Sequence, residues 1–171
     1  MNDIRLFDEK ITRYPYRYLG QCILATLTIF SVLLFLDVFA ETAIIGALGA
    51  SAFTVFTMPR SYAAEPRRVI GGYVVGITVG LLCHLSAEWS TSLIPAETTL
   101  VAYGSLAVGL AIFTMAVTNT EHAPAAGIAL GLVINTWSAD TIAFIIAAML
   151  WMVAVRHLLH RRLMNLTALP A

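Results

Sequence analysis

Residues 69–87 read VIGGYVVGITVGLLCHLSA, a run of 19 residues without Asp, Glu, Lys or Arg. The hydrocarbon core of a bilayer is about 30 Å thick, and about 20 apolar helical residues cross it. The run therefore predicts a membrane-spanning helix. Gly72, Gly76 and Gly80 recur every four residues in it, so they lie on one helix face. Small residues let helices pack closely in lipid, and we expect another helix against that face.

The composition of the whole chain points the same way. Of its 171 residues, 59% are apolar and only 12% are charged, whereas about 25% are charged in soluble domains. The mean hydropathy is +0.83. Too few charges are present to cover a water-facing surface. This excludes a soluble enzyme, a disordered chain and a protein that binds nucleic acid through a basic surface.

Apolar stretches of similar length lie on both sides of residues 69–87. Pro59 and Pro124 shorten two of them, because proline ends or begins a helix. The helical parts of these two are predicted at Thr42–Thr57 and Pro124–Trp137. The chain then crosses the membrane either four times, with the short segments re-entrant, or six times. The six stretches are 18–36, 42–59, 69–87, 98–120, 122–139 and 141–155.

The distribution of charge favours six crossings. All ten basic residues lie in three clusters, at 1–17, 58–68 and 156–162. With six crossings these clusters share one side, and positive residues mark the cytoplasmic side. The opposite loops carry only acidic charges, at Asp37, Glu41, Glu88, Glu97 and Asp140.

We therefore predict an all-α polytopic bundle with both termini cytoplasmic, in a bacterial inner membrane. An interfacial amphipathic segment (1–17) precedes the transmembrane domain (18–157), and a cytoplasmic tail (158–171) follows it. The order of the six stretches is also regular: a long, a short and a long stretch are followed by a second long, short and long stretch. Residues 18–36 match residues 98–116 at an offset of 80. This similarity indicates either two inverted halves, with a site near the short helices at the midplane, or a coincidence between apolar sequences.

Three patches carry a resemblance to a known family. They are GALGASA at 46–52, the proline–arginine segment 59–72 that ends in Gly-Gly, and TEHAPAAG at 120–127. Together they resemble the HPP family of integral membrane proteins over about residues 18–156. Ala123 stands where the His-Pro-Pro motif has its first proline, and Glu65 replaces the usual glutamine. The resemblance implies membrane transport, with nitrite as the first candidate because some members are associated with nitrite movement.

A small anion needs hydrogen-bond donors and positive potential, and helix N-termini supply both. We expect the two short helices to bring their N-termini towards a shared polar spot, with Asn119 and Thr120 as candidate caps of the second. His122 is either a carrier of protons or hydrogen bonds or a helix cap. Glu121 is expected to pair with an arginine of the 58–68 cluster.

Arg60 and Arg67 either attract the anion or only fix topology, and Arg68 is assigned to topology. The candidate substrate-binding residues are Gly46, Gly49, Ser51, Thr54, Arg60, Arg67, Thr118, Asn119, Glu121, His122 and Asn135.

The sequence favours neither catalysis nor a bound metal or cofactor. It has no Ser-His-Asp or Walker arrangement, and Cys22 and Cys83 lack a second soft ligand at a metal spacing. The expected partners are a small inorganic anion, lipids and further copies of the chain in a homo-oligomer, but not nucleic acid. A non-transporting membrane anchor or sensor subunit is the alternative function.

Overall fold

The computed structural model describes residues 13–33, 42–91 and 95–167. These residues are all-helical and contain no strand, which confirms the predicted class for the part described. The expected interfacial segment falls largely outside it, at residues 1–12. The helices are α1 (Pro15–Leu33), α2 (Thr42–Thr57), a 3₁₀ turn (Tyr62–Ala64), α3 (Pro66–Ser90), α4 (Ala96–Thr118), α5 (Ala123–Ile134) and α6 (Ala139–Leu159).

Helix length separates the elements into two groups. Within the described residues, α3, α4 and α6 are long and apolar enough to cross a membrane, whereas the apolar α2 and α5 are shorter. α2 begins and ends at the predicted residues. α5 ends at Ile134 rather than at Trp137, because Asn135 adopts an extended backbone. Its 12 residues rise only about 18 Å.

The two short helices lie side by side and antiparallel. A Cβ added at Gly131 would lie 2.8 Å from Ile44 Cγ1, and one at Gly127 would lie 3.1 Å from Ala47 Cβ. At the other end of the pair, Ser51 contacts His122. The expectation that their N-termini converge is therefore wrong. The small residues on both helices let their flanks, rather than their tips, pack together.

The predicted glycine face of α3 packs on α5. A Cβ at Gly72 would lie 2.7 Å from His122 Cβ, and one at Gly80 would lie 3.0 Å from the Ala129 carbonyl oxygen. At Gly76, it would collide with the carbonyl oxygen of Ala125. α5 contacts α2, α3 and α4 and is the central helix of the bundle.

The basic segments meet at one end of the bundle, which we call the arginine end. It comprises residues 13–18, 57–68, 119–122 and 156–167. Arg156 Nη2 donates to the Pro59 carbonyl over 2.6 Å, and the backbone N–H of Arg60 donates to Asn165 Oδ1 over 3.0 Å. The Tyr18 hydroxyl, next to the end of the first cluster, donates to the Leu166 carbonyl over 2.5 Å. For the described residues, this grouping agrees with the expectation that the basic clusters share one side.

Part of the predicted tail, residues 163–167, packs back as a strap against α1 and α2. Leu166 donates its backbone N–H to the carbonyl of Thr57 over 2.8 Å. The buried Gln21 side chain donates to the Phe56 carbonyl over 2.7 Å and to the Met164 carbonyl over 2.8 Å. The last carbonyls of α2, which have no partner within the helix, are thereby satisfied.

Candidate functional site

His122 occupies the N-cap of α5, where proline in the first turn starts the helix. Its side chain does not cap the helix. It is fully buried instead, with Nδ1 3.0 Å from the Ala63 carbonyl oxygen and Nε2 3.0 Å from Ser51 Oγ. Because a carbonyl oxygen only accepts hydrogen bonds, Nδ1 carries a proton and donates it to Ala63.

A buried chain of hydrogen bonds continues from His122. Ser51 Oγ lies 2.7 Å from the hydroxyl of Tyr73, and both residues are fully buried. When His122 is neutral, Nε2 accepts from Ser51, and Ser51 then accepts from Tyr73. We call Ser51, Tyr73 and His122 the buried triad. It joins α2, α3 and the start of α5 with every link satisfied.

The environment of His122 favours the neutral ring. Burial lowers the pKa of His122 below its ordinary value, and the hydrogen bond to Ala63 offsets part of that effect. The triad is therefore a set of neutral hydrogen-bonding groups near pH 7. Protonation would make Nε2 a donor and would reverse the direction of the Ser51 and Tyr73 hydrogen bonds.

Arg68 lies at the same end and is buried, with 6% of its surface exposed. Nη1 donates to the Asn119 carbonyl over 3.2 Å and pairs with Glu121 Oε2. Nη2 donates to Asn119 Oδ1 over 2.9 Å, and Nε lies 3.4 Å from Glu65 Oε2. The ring of Tyr62 stacks on the guanidinium. A role in topology alone does not explain these contacts, so that interpretation of Arg68 is incomplete.

Glu121 pairs with an arginine, as expected. Its Oε2 also accepts a hydrogen bond from the Tyr62 hydroxyl over 3.0 Å. The pKa of Glu121 lies below its ordinary value, because its own backbone N–H, Tyr62 and Arg68 all stabilise the carboxylate. The side chain is nevertheless 42% exposed, so the ion pair borders solvent.

Asn119 ends α4 and does not cap α5. Its backbone is left-handed, with φ of 57°, the one positive φ among the described non-glycine residues. Asparagine tolerates this conformation better than most residues, and it often ends helices. The turn directs both its carbonyl and its side-chain oxygen to Arg68. The expectation that Asn119 caps the short helix is therefore wrong.

Four further candidate residues lie outside both the buried triad and the group around Arg68. Arg60 and Arg67 are exposed at the arginine end. Thr54 donates to the carbonyl of Ala50 in its own helix. Thr118 donates to the carbonyl of Thr114 and pairs with the hydroxyl of Thr120.

Two glycines and an asparagine complete the candidates. Gly46 and Gly49 have nothing within 4 Å of an added Cβ, and Gly49 lines an open apolar groove of about 620 Å³ between α1 and α2. Asn135 lies at the opposite end of α5 from His122. Of the candidates, the structure therefore brings Ser51 to His122 in the buried triad, and Asn119 to Glu121 around Arg68 and Tyr62. Over the described ranges, no three His, Cys, Asp or Glu side chains are grouped as metal ligands would be.

Sequence reasoning missed Tyr62 and Tyr73 and undervalued Arg68. Tyr73 carried a signal, since a tyrosine inside a charge-free apolar run needs a partner for its hydroxyl. Nothing in the sequence distinguished Arg67 from Arg68, because both directly follow Pro66. Successive residues of a helix point about 100° apart. This difference places Arg67 in solvent and Arg68 in the cluster.

Comparisons with known proteins agree with this architecture. The model of the HPP transmembrane region matches residues 12–167. Two transmembrane proteins of Dictyostelium discoideum are 33% and 32% identical over 87 residues, which are 51% of this chain and 26% and 28% of theirs. The chain thus spans about a quarter of the length of these relatives. No solved structure matches. By its family match over most of its length, the chain belongs to the HPP transmembrane family.

Proposed function

We propose that this protein moves a small inorganic anion across a membrane, with nitrite as the first substrate to test. The proposal rests mainly on the buried triad. Polar and ionisable side chains are costly inside the membrane and usually mark a transport path. Ser51 and Tyr73 lie within the apolar helices α2 and α3, and His122 meets them from the N-cap of α5. All three are fully buried, and the Arg68–Glu121 pair lies between α3 and the same α4–α5 turn.

The chemistry of the triad suits a weak-acid anion. The triad consists of neutral groups, so it adds no fixed charge that would hold an anion too tightly. Its hydroxyls donate to an anion only when the hydrogen bonds between Ser51, Tyr73 and His122 open. Nitrite and formate are conjugate bases of weak acids, so a proton that His122 takes up can be passed on to them. In this conformation the triad is closed to solvent, as expected of an occluded state between alternating openings.

The proposed topology has six crossings with the arginine end in the cytoplasm of a bacterial cell. Its support comes from the contacts at one end of the bundle between residues 59–60, residues 156–166 and Tyr18, which follows the first basic segment, together with the positive-inside rule. We further propose inverted halves and a homo-oligomer. The open glycine positions at 46 and 49 are compatible with close helix contacts between copies.

Uptake into liposomes tests the transport proposal. Purified protein is reconstituted and the uptake of nitrite, formate, nitrate and chloride is compared with that of protein-free liposomes. We expect nitrite uptake to fall at least about tenfold in His122→Ala, because the Ser51 hydroxyl and the Ala63 carbonyl lose their hydrogen-bond partner. His157→Ala, at an exposed histidine of the arginine end, should retain wild-type uptake. Equal uptake by all three proteins would contradict the role of the triad.

The exposed arginines allow a milder test. If Arg60 and Arg67 raise the local concentration of anion, Arg67→Ala should lower uptake about twofold at low salt and less at high salt. A salt-independent loss would contradict an electrostatic role.

A membrane anchor or sensor subunit is the second candidate. The favouring observation is the close contact between α2 and α5, where Ala47 and Ile44 pack on Gly127 and Gly131 without an intervening polar side chain. An anchor would show no uptake of any of the four anions above the protein-free background.

A further inference from the structure

The arrangement around Arg68 resembles an occupied anion site. Arg68 Nη1 and the Tyr62 hydroxyl converge on a single carboxylate oxygen, Oε2 of Glu121. Arg68 is buried, whereas the carboxylate reaches it from a side chain that is 42% exposed. The Arg68 donor is therefore set within the protein, whereas the half-exposed Tyr62 and the Glu121 carboxylate reach it from the edge.

The donors keep their positions without Glu121. Arg68 is also held by the carbonyl and Oδ1 of Asn119, by Glu65 and by the ring of Tyr62. The Tyr62 hydroxyl has one proton and two acceptors, Asn119 Oδ1 at 2.8 Å and Glu121 Oε2 at 3.0 Å. When Glu121 withdraws, one N–H of Arg68 becomes free. The Tyr62 hydroxyl then donates to Asn119 Oδ1 until an anion takes the place of Glu121 Oε2 and accepts from it instead.

For electrostatic reasons, the Glu121 carboxylate and a free anion do not occupy the position beside Arg68 at the same time. Glu65 and Glu121 already place two carboxylates on one guanidinium. An added anion would bring a third negative charge to that cation, whereas an anion that replaces the Glu121 carboxylate leaves the local charge unchanged. Entry of an anion and departure of Glu121 are therefore coupled.

We infer that Arg68 and Tyr62 form a binding site for a small planar anion with two oxygens, such as nitrite or formate, which the Glu121 carboxylate occupies in this structure. The inference deepens the proposed function, on which it rests for the identity of the anion as substrate. A carboxylate and a nitrite ion share the bent arrangement of two oxygens, so Glu121 is an internal stand-in for the ligand.

Equilibrium binding tests this site without transport. Wild-type protein and Glu121→Gln are purified in lipid nanodiscs and titrated calorimetrically with sodium nitrite, sodium formate and sodium chloride at constant ionic strength. A tethered carboxylate competes at an effective concentration in the millimolar range or above. We therefore expect about tenfold tighter binding of nitrite and formate in Glu121→Gln, with chloride clearly weaker.

Matched variants locate the effect. In the Glu121→Gln background, Arg68→Gln should abolish nitrite binding, Tyr62→Phe should weaken it several-fold, and Arg161→Gln, at an exposed arginine of the same end, should leave it within twofold. Glu121→Asp keeps the charge on a shorter side chain and should give a smaller gain than Glu121→Gln. It serves as the test if the glutamine variant does not fold.

The outcomes separate this inference from the proposed function. Unchanged or absent nitrite binding in both Glu121 variants overturns the site, even if the liposomes take up nitrite. Chloride binding equal to nitrite overturns the ligand class. Nitrite binding that responds to Glu121 in a protein without uptake supports the site and overturns transport.

Discussion

The two ends of α5 differ in how their polar groups are satisfied. At the N-terminal end, both ring nitrogens of His122 have partners, and the chain continues through Ser51 to Tyr73. At the C-terminal end, Asn135 Nδ2 and Trp137 Nε1 are buried without an acceptor. Hydrogen-bonded groups hold their side chains in one geometry, whereas buried donors without an acceptor do not contribute a hydrogen bond to stability.

This difference indicates which end of α5 is held by hydrogen bonds. Both ends pack closely on glycines, at Gly72 near His122 and at Gly80 further along. The N-terminal end is also joined to α2 by the hydrogen bond between His122 and Ser51. The C-terminal end lacks such hydrogen bonds from its two buried donors. We therefore expect substitutions to have larger effects near His122 than near Asn135.

The largest effect on stability should come from separating α3 and α5. In Gly76→Ala, the new Cβ would collide with the carbonyl of Ala125, and a backbone atom in a helix cannot move aside. We expect a loss of about 3 kcal/mol in the free energy of unfolding, measured by denaturant unfolding in micelles. Gly109→Ala is the control, because nothing lies within 4 Å of its added Cβ. Equal stability of both variants would contradict the tight contact.

Removal of the His122 ring should have the next largest effect. In His122→Ala, the Ala63 carbonyl and the Ser51 hydroxyl lose their partner in a buried place. We expect a destabilisation of about 2 kcal/mol. Tyr73→Phe removes only the outer link and should cost about 1 kcal/mol. A Tyr73→Phe variant less stable than His122→Ala would contradict this order and would show that Tyr73, and not His122, contributes most to the hydrogen-bond network of the triad.

Acidification offers a smaller and reversible perturbation. Burial lowers the pKa of His122 in the folded state, so the unfolded chain takes up a proton first as the pH falls. The stability from the neutral ring is therefore complete above about pH 6.5, the unfolded value, and declines towards the lowered folded value. The unfolding midpoint of wild type should fall from pH 7.5 to pH 5 more than that of His122→Gln. Parallel decreases would contradict this contribution.

The smallest effect is expected at the opposite end. Asn135→Ala removes a buried amide N–H without a hydrogen-bond partner, so no bond is lost. The free energy of unfolding should change by less than about 0.5 kcal/mol. A loss near that of His122→Ala would show that the amide has a partner in solution, such as a buried water, and would remove the contrast between the two ends.

The sequence predicted the elements better than their arrangement. Proline and charge bracket α2, so its bounds follow from local signals. The relative placement of α2 and α5 does not, since small residues permit either flank or tip contacts. Arg67 and Arg68 are likewise adjacent residues of the same type, and they differ only in the face of α3 on which each side chain lies. In the site, His122 was predicted from its residue type and the family resemblance, and Glu121 from its place in a loop facing the arginines. Tyr62 was not predicted, because only the fold brings it to the distant Asn119 and Glu121.

The hydrogen bonds of Gln21 have a consequence for biosynthesis. Its amide nitrogen donates to the carbonyl of Met164, and its amide oxygen accepts from the backbone N–H of the same residue, 143 positions later. During biosynthesis α1 and α2 are made long before Met164, and until that residue packs against them the Gln21 amide keeps only its bond to the Phe56 carbonyl. These two helices therefore complete their packing only after the strap is in place.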